Sequence, residues 1–252
     1  MFTLCFAFPC PGIRSIGSPP QSRGRKLDVR FLQAGASFDG RMAVRPISVS
    51  LTERRIGIIG LNGSGKTTFA RMINGLVQPS HGRVSVNGLD TAQDGDGVRS
   101  QVGFIFQNPQ NQIILPILRE DIELGLRAQK LTRTEVKAKV DGVLARFGIE
   151  PLADRRVHEL SGGELQLAAL ASVLVTEPAL VILDEPTNQL DLRNRLLVQK
   201  TIDRLEEDVL VISHDLELVE TFDRVLLFHE GQILMDGLPA DAIRHYREIA
   251  GS

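Results

Sequence analysis

Eight residues constrain the fold of this chain more than any others: Gly60-Leu61-Asn62-Gly63-Ser64-Gly65-Lys66-Thr67. They fit G-x-x-x-x-G-K-[ST], and they stand where that pattern carries meaning. Before them runs Ile56-Gly57-Ile58-Ile59, whose β-branched content predicts a buried strand at Arg55–Gly60. After them the spacing predicts a helix from Lys66 to Asn74, with Gly75 as its stop. Glycines let the backbone curl so that successive N–H groups face one anion. The helix adds its positive end. In such a loop the lysine, here Lys66, reaches the terminal phosphates of a nucleotide, and the hydroxyl of Thr67 ligates Mg²⁺.

A second element has the complementary chemistry. Leu180-Val181-Ile182-Leu183 predicts a buried strand that ends in Asp184-Glu185. In an open parallel sheet, ligands bind at the carboxyl ends of strands. There Asp184 can hold the Mg²⁺ shell, and Glu185 can orient or deprotonate an attacking water.

Strand and helix signals alternate along the rest of the chain, which argues for a mostly parallel sheet covered by helices. Strands are predicted at Leu27–Leu32, Ala43–Leu51, Gly82–Val86, Gln101–Phe106, Val209–Ser213, Val225–Phe228 and Gln232–Met235. Asn87-Gly88 fits a hairpin turn. Between Pro109 and Val175 the period is helical: a helix at Arg119–Gln129, a second opened by the capping box Thr132-x-x-Glu135 and closed by Gly148, and a third at Glu164–Val175. Further helices are predicted at Leu192–Glu207, at Asp215–Thr221 and from Pro239. The charge run Arg204–Asp208 reads as a solvated helix end.

The 252 residues carry a formal net charge of −2, so the total does not point to nucleic acid. No apolar run reaches the ~18–20 residues that span a bilayer, so service to a membrane would run through a partner. The two cysteines, Cys5 and Cys10, form no disulfide framework and no metal spacing. Residues 1–26 begin apolar at Phe2–Phe8, are broken by Pro9, and become basic only at Arg23–Lys26, the reverse of a secretory signal. They are expected to be a disordered tail or an extension from an upstream start codon, with a lipid-surface anchor as the alternative. The folded unit is expected over 27–252.

Leu160-Ser161-Gly162-Gly163-Glu164 opens a predicted helix with small residues, leaving free N–H groups aimed at an anion. The loop at Gly60–Thr67 already supplies one such cradle, so a second suggests a site completed by another molecule's copy. With these residues in hand the chain resembles the ATP-binding-cassette (ABC) family over about 27–236. The resemblance implies a P-loop α/β fold: a RecA-like parallel-sheet core, an antiparallel β subdomain and a helical subdomain at about 109–175. It implies ATP hydrolysis with Mg²⁺. Phe38 takes the place of the aromatic that stacks on adenine, although core packing would also explain it. Gly60, Leu61, Asn62, Gly63, Ser64, Gly65, Lys66, Thr67 and Thr68 take the triphosphate. Gln107 is the Q-loop residue, ligating Mg²⁺ with Thr67 and Asp184, though it could simply cap a strand. Glu185 and His214 join Gln107 as catalytic residues. Ser161, Gly162, Gly163, Glu164 and Asp191 act in trans on the nucleotide of a second subunit in a head-to-tail dimer, for which a homodimer suffices.

Glu164 departs from the usual Gln of this signature, and Leu167 stands where Arg is common. Either change bears on rate and affinity. Phe106-Gln107-Asn108-Pro109-Gln110-Asn111-Gln112, followed by the acidic stretch Arg119–Leu126, is similar to the ATPases of energy-coupling-factor importers, departing at Leu115–Leu118. The compact form is most similar to their biotin-transport branch, with cobalt and nickel ATPases as competitors. Expected partners are then a transmembrane coupling protein and a substrate-binding membrane protein, on the cytoplasmic face of the membrane, with no nucleic acid. ABC ATPases of DNA repair, chromosome organisation and translation form the alternative class. They usually carry coiled-coil insertions, zinc sites or tandem cassettes, features this sequence lacks.

Overall fold

The computed structural model describes residues 27–251. The expectations for 1–26, including both cysteines, lie outside them. Two sheets organise the chain. The first is antiparallel: β1 (Val29–Phe38), β2 (Arg41–Leu51), β4 (His81–Val86) and β5 (Leu89–Asp90), in the order β2-β1-β4-β5. The second contains β3 (Arg55–Gly60), β6 (Val102–Ile105), β7 (Leu180–Asp184), β8 (Asp208–Ile212), β9 (Arg224–His229) and β10 (Gln232–Gly237). Its order is β10-β9-β3-β8-β7-β6, parallel throughout except at the β10 edge.

The parallel strands show why near-continuous apolar runs were needed. Successive side chains point to opposite faces. Ile56, Ile58, Leu180, Ile182, Leu210, Ile212, Leu226 and Phe228 enter one core. Ile59, Val181, Leu183, Val209, Val211, Val225 and Leu227 enter the other. Both faces are covered, the usual fate of a parallel sheet.

Helix α1 (Lys66–Ile73) joins the two sheets. Its Phe69 stacks on Phe31 of β1 with ring centroids 4.2 Å apart and tilts against Phe228 of β9 at 4.9 Å. This aromatic column, about 1 kcal/mol per pair beyond simple burial, fixes the helix start beside the end of β3. A short helix α2 (Gly95–Arg99) precedes β6.

From Pro109 to Leu174 the regular elements are helices, joined by turns and by one isolated bridge, Ile117 to Arg156. It contains α3 (Leu118–Gly125), α4 (Arg133–Phe147) and α5 (Gly162–Leu174). The Thr132–Glu135 capping box is formed in both directions, and Gly148 ends α4 with φ 66°. Asp121 of α3 is almost fully buried; its carboxylate accepts the N–H groups of Ile114 and Leu115 at 2.7 and 3.0 Å and the Ser172 hydroxyl at 3.0 Å. It ties the segment after Gln107 to α5. The C-terminal part has α6 (Leu192–Asp203), α7 (Leu216–Val219) and α8 (Pro239–Ala250).

Three expectations need correction. Helix α3 stops at Gly125, not Gln129: the N–H groups of Leu126, Arg127 and Gln129 reach back only three residues, to Glu123, Leu124 and Leu126. Helix α6 stops at Asp203, not Glu207: the Arg55 guanidinium takes the carbonyls of Leu205 and Glu207, turning the chain into β8. The charge run 204–208 is therefore not a solvated helix end. Glu207 is 12% exposed and makes a two-pronged bridge to Arg146 of α4 at 2.7 and 2.8 Å. β1 also runs six residues beyond the predicted Leu32 to Phe38. Register shifts between Phe31 and Ala36, with Gln33 at φ 48°, break the alternation that marks a strand in sequence.

Candidate active site

The end of β3 delivers the loop. Gly60 has φ 146°, and a Cβ there would sit 2.2 Å from the Phe228 carbonyl oxygen; at Gly65, φ 103°, a Cβ would sit 2.4 Å from that of Ala43. Neither place admits another residue without moving backbone. Helix α1 starts at Gly65 with no side-chain cap and no acidic residue in its first turn. Its N-terminal amides and positive dipole end therefore face the cleft. Ser64 is 5% exposed and its hydroxyl has no partner among the described residues, a donor fit for an anion. Lys66 folds over its own loop, donating to the carbonyls of Gly60 and Leu61 at 2.8 and 2.9 Å. Burial lowers its pKa against the opposing pull of Glu185 and Asp184.

The carboxylates come from β7. Consecutive strand residues should point to opposite faces. Glu185 escapes that rule because its φ is 51°, a left-handed conformation. Such backbone costs about 1–3 kcal/mol in a non-glycine residue, and here it swings Glu185 to the same cleft as Asp184. Thr67 Oγ1 donates to Asp184 Oδ1 at 3.1 Å. Burial is the larger influence on both carboxyls and raises them, outweighing Thr67, Arg71 and Lys66 at Asp184 and the His214 amide and Lys66 at Glu185.

His214 follows β8 and closes the group. Its N–H donates to Glu185 Oε2 at 3.1 Å. Its Nε2 lies 2.9 Å from Asn62 Oδ1 and 3.2 Å from Glu185 Oε1. Burial, then the Lys66 charge, lowers its pKa, which favours the neutral ring over an ion pair with Glu185. Facing two oxygens, Nε2 carries the proton, and the shorter contact takes it. Glu185 Oε1 is left buried without a hydrogen-bond donor among the described residues, an acceptor fit for a water.

These groups line one cleft of about 640 Å³. Asn62, Gly63, Ser64, Gly65, Lys66, Thr67, Thr68, Gln107, Asp184, Glu185 and His214 all lie on it. Phe38, 49% exposed at the end of β1, does not line it. Neither do Ser161, Gly162, Gly163 and Glu164, which open α5, nor Asp191, which caps α6 by accepting the Asn194 N–H. Glu164 Oε2 accepts both the Ser161 amide and hydroxyl, at 2.8 and 2.7 Å. Sequence reasoning missed three participants. Gln112 accepts the Phe106 N–H and donates to the Phe104 carbonyl, pinning the turn that presents Gln107. Arg195 and Asp215 both line the cleft and pair with each other. A helical arginine four residues after the cap at Asp191, and an acid beside His214, were the available signals.

Comparison with known proteins agrees with this geometry. The profile of the ABC transporter family matches residues 44–188. The biotin transport ATP-binding protein BioM of Rhizobium etli is 61% identical over 89% of this chain and 100% of its own length. The energy-coupling factor transporter ATP-binding protein EcfA1 of Halalkalibacterium halodurans is 37% identical over 73% of this chain and 68% of its own. Among solved structures, cbiO1 of Clostridium perfringens, part of the ABC transporter complex cbiONQ, superposes with TM-score 0.78 at 30% identity, covering 90% of this chain and 94% of that one. A nucleotide cleft of this build, on a chain matched along nearly its whole described length by such relatives, places the protein in the ABC transporter family as one of its ATPase subunits.

Proposed function

We propose that this chain is the ATP-hydrolysing subunit of an energy-coupling-factor importer, and that its cargo is biotin. The observation that carries the catalytic part is Glu185, strained into the cleft with one carboxylate oxygen fixed by His214 and the other free of donors. The cargo rests on the 61% identity to BioM.

ATP would set its β- and γ-phosphates on the Gly60–Thr67 amides, and Lys66 would exchange its two carbonyl acceptors for phosphate oxygens. The oxygens of Thr67, Asp184 and Gln107 suit Mg²⁺, a hard cation that takes oxygen ligands; when bound, the ion neutralises charge on the β- and γ-phosphates. Glu185 accepts the proton of a water as its oxygen attacks the γ-phosphorus. The bond to the bridging oxygen breaks, releasing ADP and phosphate. His214, donating from Nε2, contacts the γ-phosphate. Positioning and charge stabilisation carry most of such a reaction.

The turn at Ser161–Glu164 lies off this cleft and would close on the cleft of a second subunit, giving a head-to-tail dimer. No helix among the described residues is long and apolar enough to cross a membrane. Attachment to the cytoplasmic face would run through a coupling protein docked near Gln107. Ile114, 75% exposed on the segment after it, offers that partner an apolar contact.

Replacing Glu185 with Gln is expected to abolish turnover while ATP binding persists and an ATP-bound dimer accumulates. Hydrolysis at the parental rate would overturn the assignment. ATP-dependent biotin uptake by cells expressing the chain with its membrane partners tests the cargo. Uptake of cobalt or nickel instead would move the protein to that branch.

A further inference from the structure

The histidine loop is fastened from two sides. One fastener is Glu185, which accepts the His214 N–H. The other is Arg195, one turn into α6. Its guanidinium pairs with Asp215, the next residue after His214: Nη2 donates to Oδ1 at 2.7 Å, and Nε stands 2.6 Å from Oδ2 as a charge contact that leaves Oδ2 without a hydrogen-bond donor among the described residues. Nη2 also lies 3.0 Å from Glu217 Oε2. A solitary exposed ion pair contributes little. This one combines a hydrogen bond with a second charge contact, and the Asp215 side chain is only 10% exposed. Without Arg195 a largely enclosed carboxylate would stand beside His214 and Glu185 with no cation paired to it among the described residues, and burial makes that costly.

The residue before Arg195 touches the other half of the machinery. Asn194 donates its N–H and its side-chain amide to the two carboxylate oxygens of Asp191 at 2.8 and 3.1 Å. A Cβ on Gly163 would lie 2.2 Å from Asn194 Oδ1. So contacts run without a break from Gly163 through Asn194 and Arg195 to Asp215 and His214.

We propose that Arg195 is a positioning residue for hydrolysis: it holds the His214 loop in its working geometry and ties that loop, through the first turn of α6, to the Ser161–Glu164 turn. The proposal rests on the reading of the cleft given above. Through this tie, a turn closed on a partner's nucleotide biases the histidine of its own chain. A packed, hydrogen-bonded chain of this kind is the physical means by which two sites couple.

The test is Arg195→Met and Arg195→Lys in the full chain, assayed for steady-state ATP hydrolysis and for binding of a fluorescent ATP analogue. The Met variant is expected to lose about ten- to hundredfold in kcat, the scale of a misplaced catalytic group, with KM and analogue affinity within about twofold of the parent by the same reasoning. The Hill coefficient for ATP should fall towards one. Lys keeps the charge but not the guanidinium's placed donors and should recover part of kcat. Parental kcat and cooperativity in the Met variant, or a KM rise that accounts for the whole loss, would overturn the role. Should that variant fail to fold, Asp215→Ala removes the acceptor that Arg195 holds, and parental kcat there overturns it equally. The Glu185→Gln variant separates the two readings. If it still hydrolyses ATP, the cleft has been misread; if it is inert while Arg195→Met is unimpaired, only the role of Arg195 fails.

Discussion

Replacing Glu164 with Gln separates stability from closure, because the two should move in opposite directions. Glu164 Oε2 takes both donors of Ser161, the amide at 2.8 Å and the hydroxyl at 2.7 Å. Those two bonds hold its carboxyl below the ordinary carboxylate value. A glutamine oxygen can still accept the amide, but its NH₂ cannot accept the hydroxyl. The variant loses charge at a helix N-terminus and one charge-assisted bond. Each is worth up to about 1 kcal/mol at an exposed site, and solvent screening brings the sum to about 0.5–1 kcal/mol. For a chain of this size that lowers Tm by about 1–3 °C. In the dimer proposed above, the same change frees the Ser161 hydroxyl for the partner's γ-phosphate and removes an anion facing it. The same 0.5–1 kcal/mol returns there as a gain, so the ATP concentration for half-maximal dimerisation should fall by about two- to fivefold. The assay is size-exclusion chromatography against ATP concentration in the Glu185→Gln background, with a thermal melt of each protein alongside. A midpoint that stays put or rises refutes the reasoning, as does a variant more stable than its parent.

Two further expectations concern the helical segment. Asp121→Ala takes the acceptor from the part-buried amides of Ile114 and Leu115, while the Ser172 hydroxyl keeps the Ala168 carbonyl; with solvent able to reach part of this site, the loss should fall at the lower end of the range for an unsatisfied buried group, about 1–2 kcal/mol in urea unfolding, and hydrogen exchange should quicken at Ile114 and Leu115 before it does in the sheet. Glu207 supplies a pH dependence: burial raises its carboxyl, but the Arg146 bridge and the amides of Glu206 and Glu207 outweigh burial, and the net displacement is downwards from 4.5. Its contribution is therefore present above about pH 4.5 and lost as pH falls through the lower folded value. Glu207→Gln should flatten the acid side of a urea-midpoint profile between about pH 7 and pH 3; an unchanged slope would show that the bridge to Arg146 carries no such linkage.

The chemistry of the cleft was legible where it is compressed into contiguous residues. Gly60–Thr67 states its own strand, turn and helix, and Leu180–Glu185 states a buried strand with carboxylates at its end. What stayed hidden depends on residues far apart in the chain. Arg195 meets Asp215 across 20 positions, and Arg146 meets Glu207 across 61. Periodicity says which face of α6 or α4 is apolar, not which loop will face its charged side. The φ of Glu185 was equally invisible, since Asp-Glu reads alike in an ordinary strand. The end of α6 was misjudged because Arg55, in another strand, takes the carbonyls of Leu205 and Glu207 just beyond it. The α2 helix escaped because Gly95, Asp96 and Gly97 form more turn signal than helix signal.

The left-handed backbone at Glu185 sets the fold and the chemistry at odds. Glycine, asparagine and aspartate sit in that region with less strain than glutamate does. Variants of this protein sorted for heat resistance alone would drift away from glutamate at position 185 and grow sturdier as they lost turnover. Sorted for growth on the imported nutrient, they would keep it and bear the strain. The residue to which the proposed mechanism gives the attacking water is thus one the fold by itself has reason to discard.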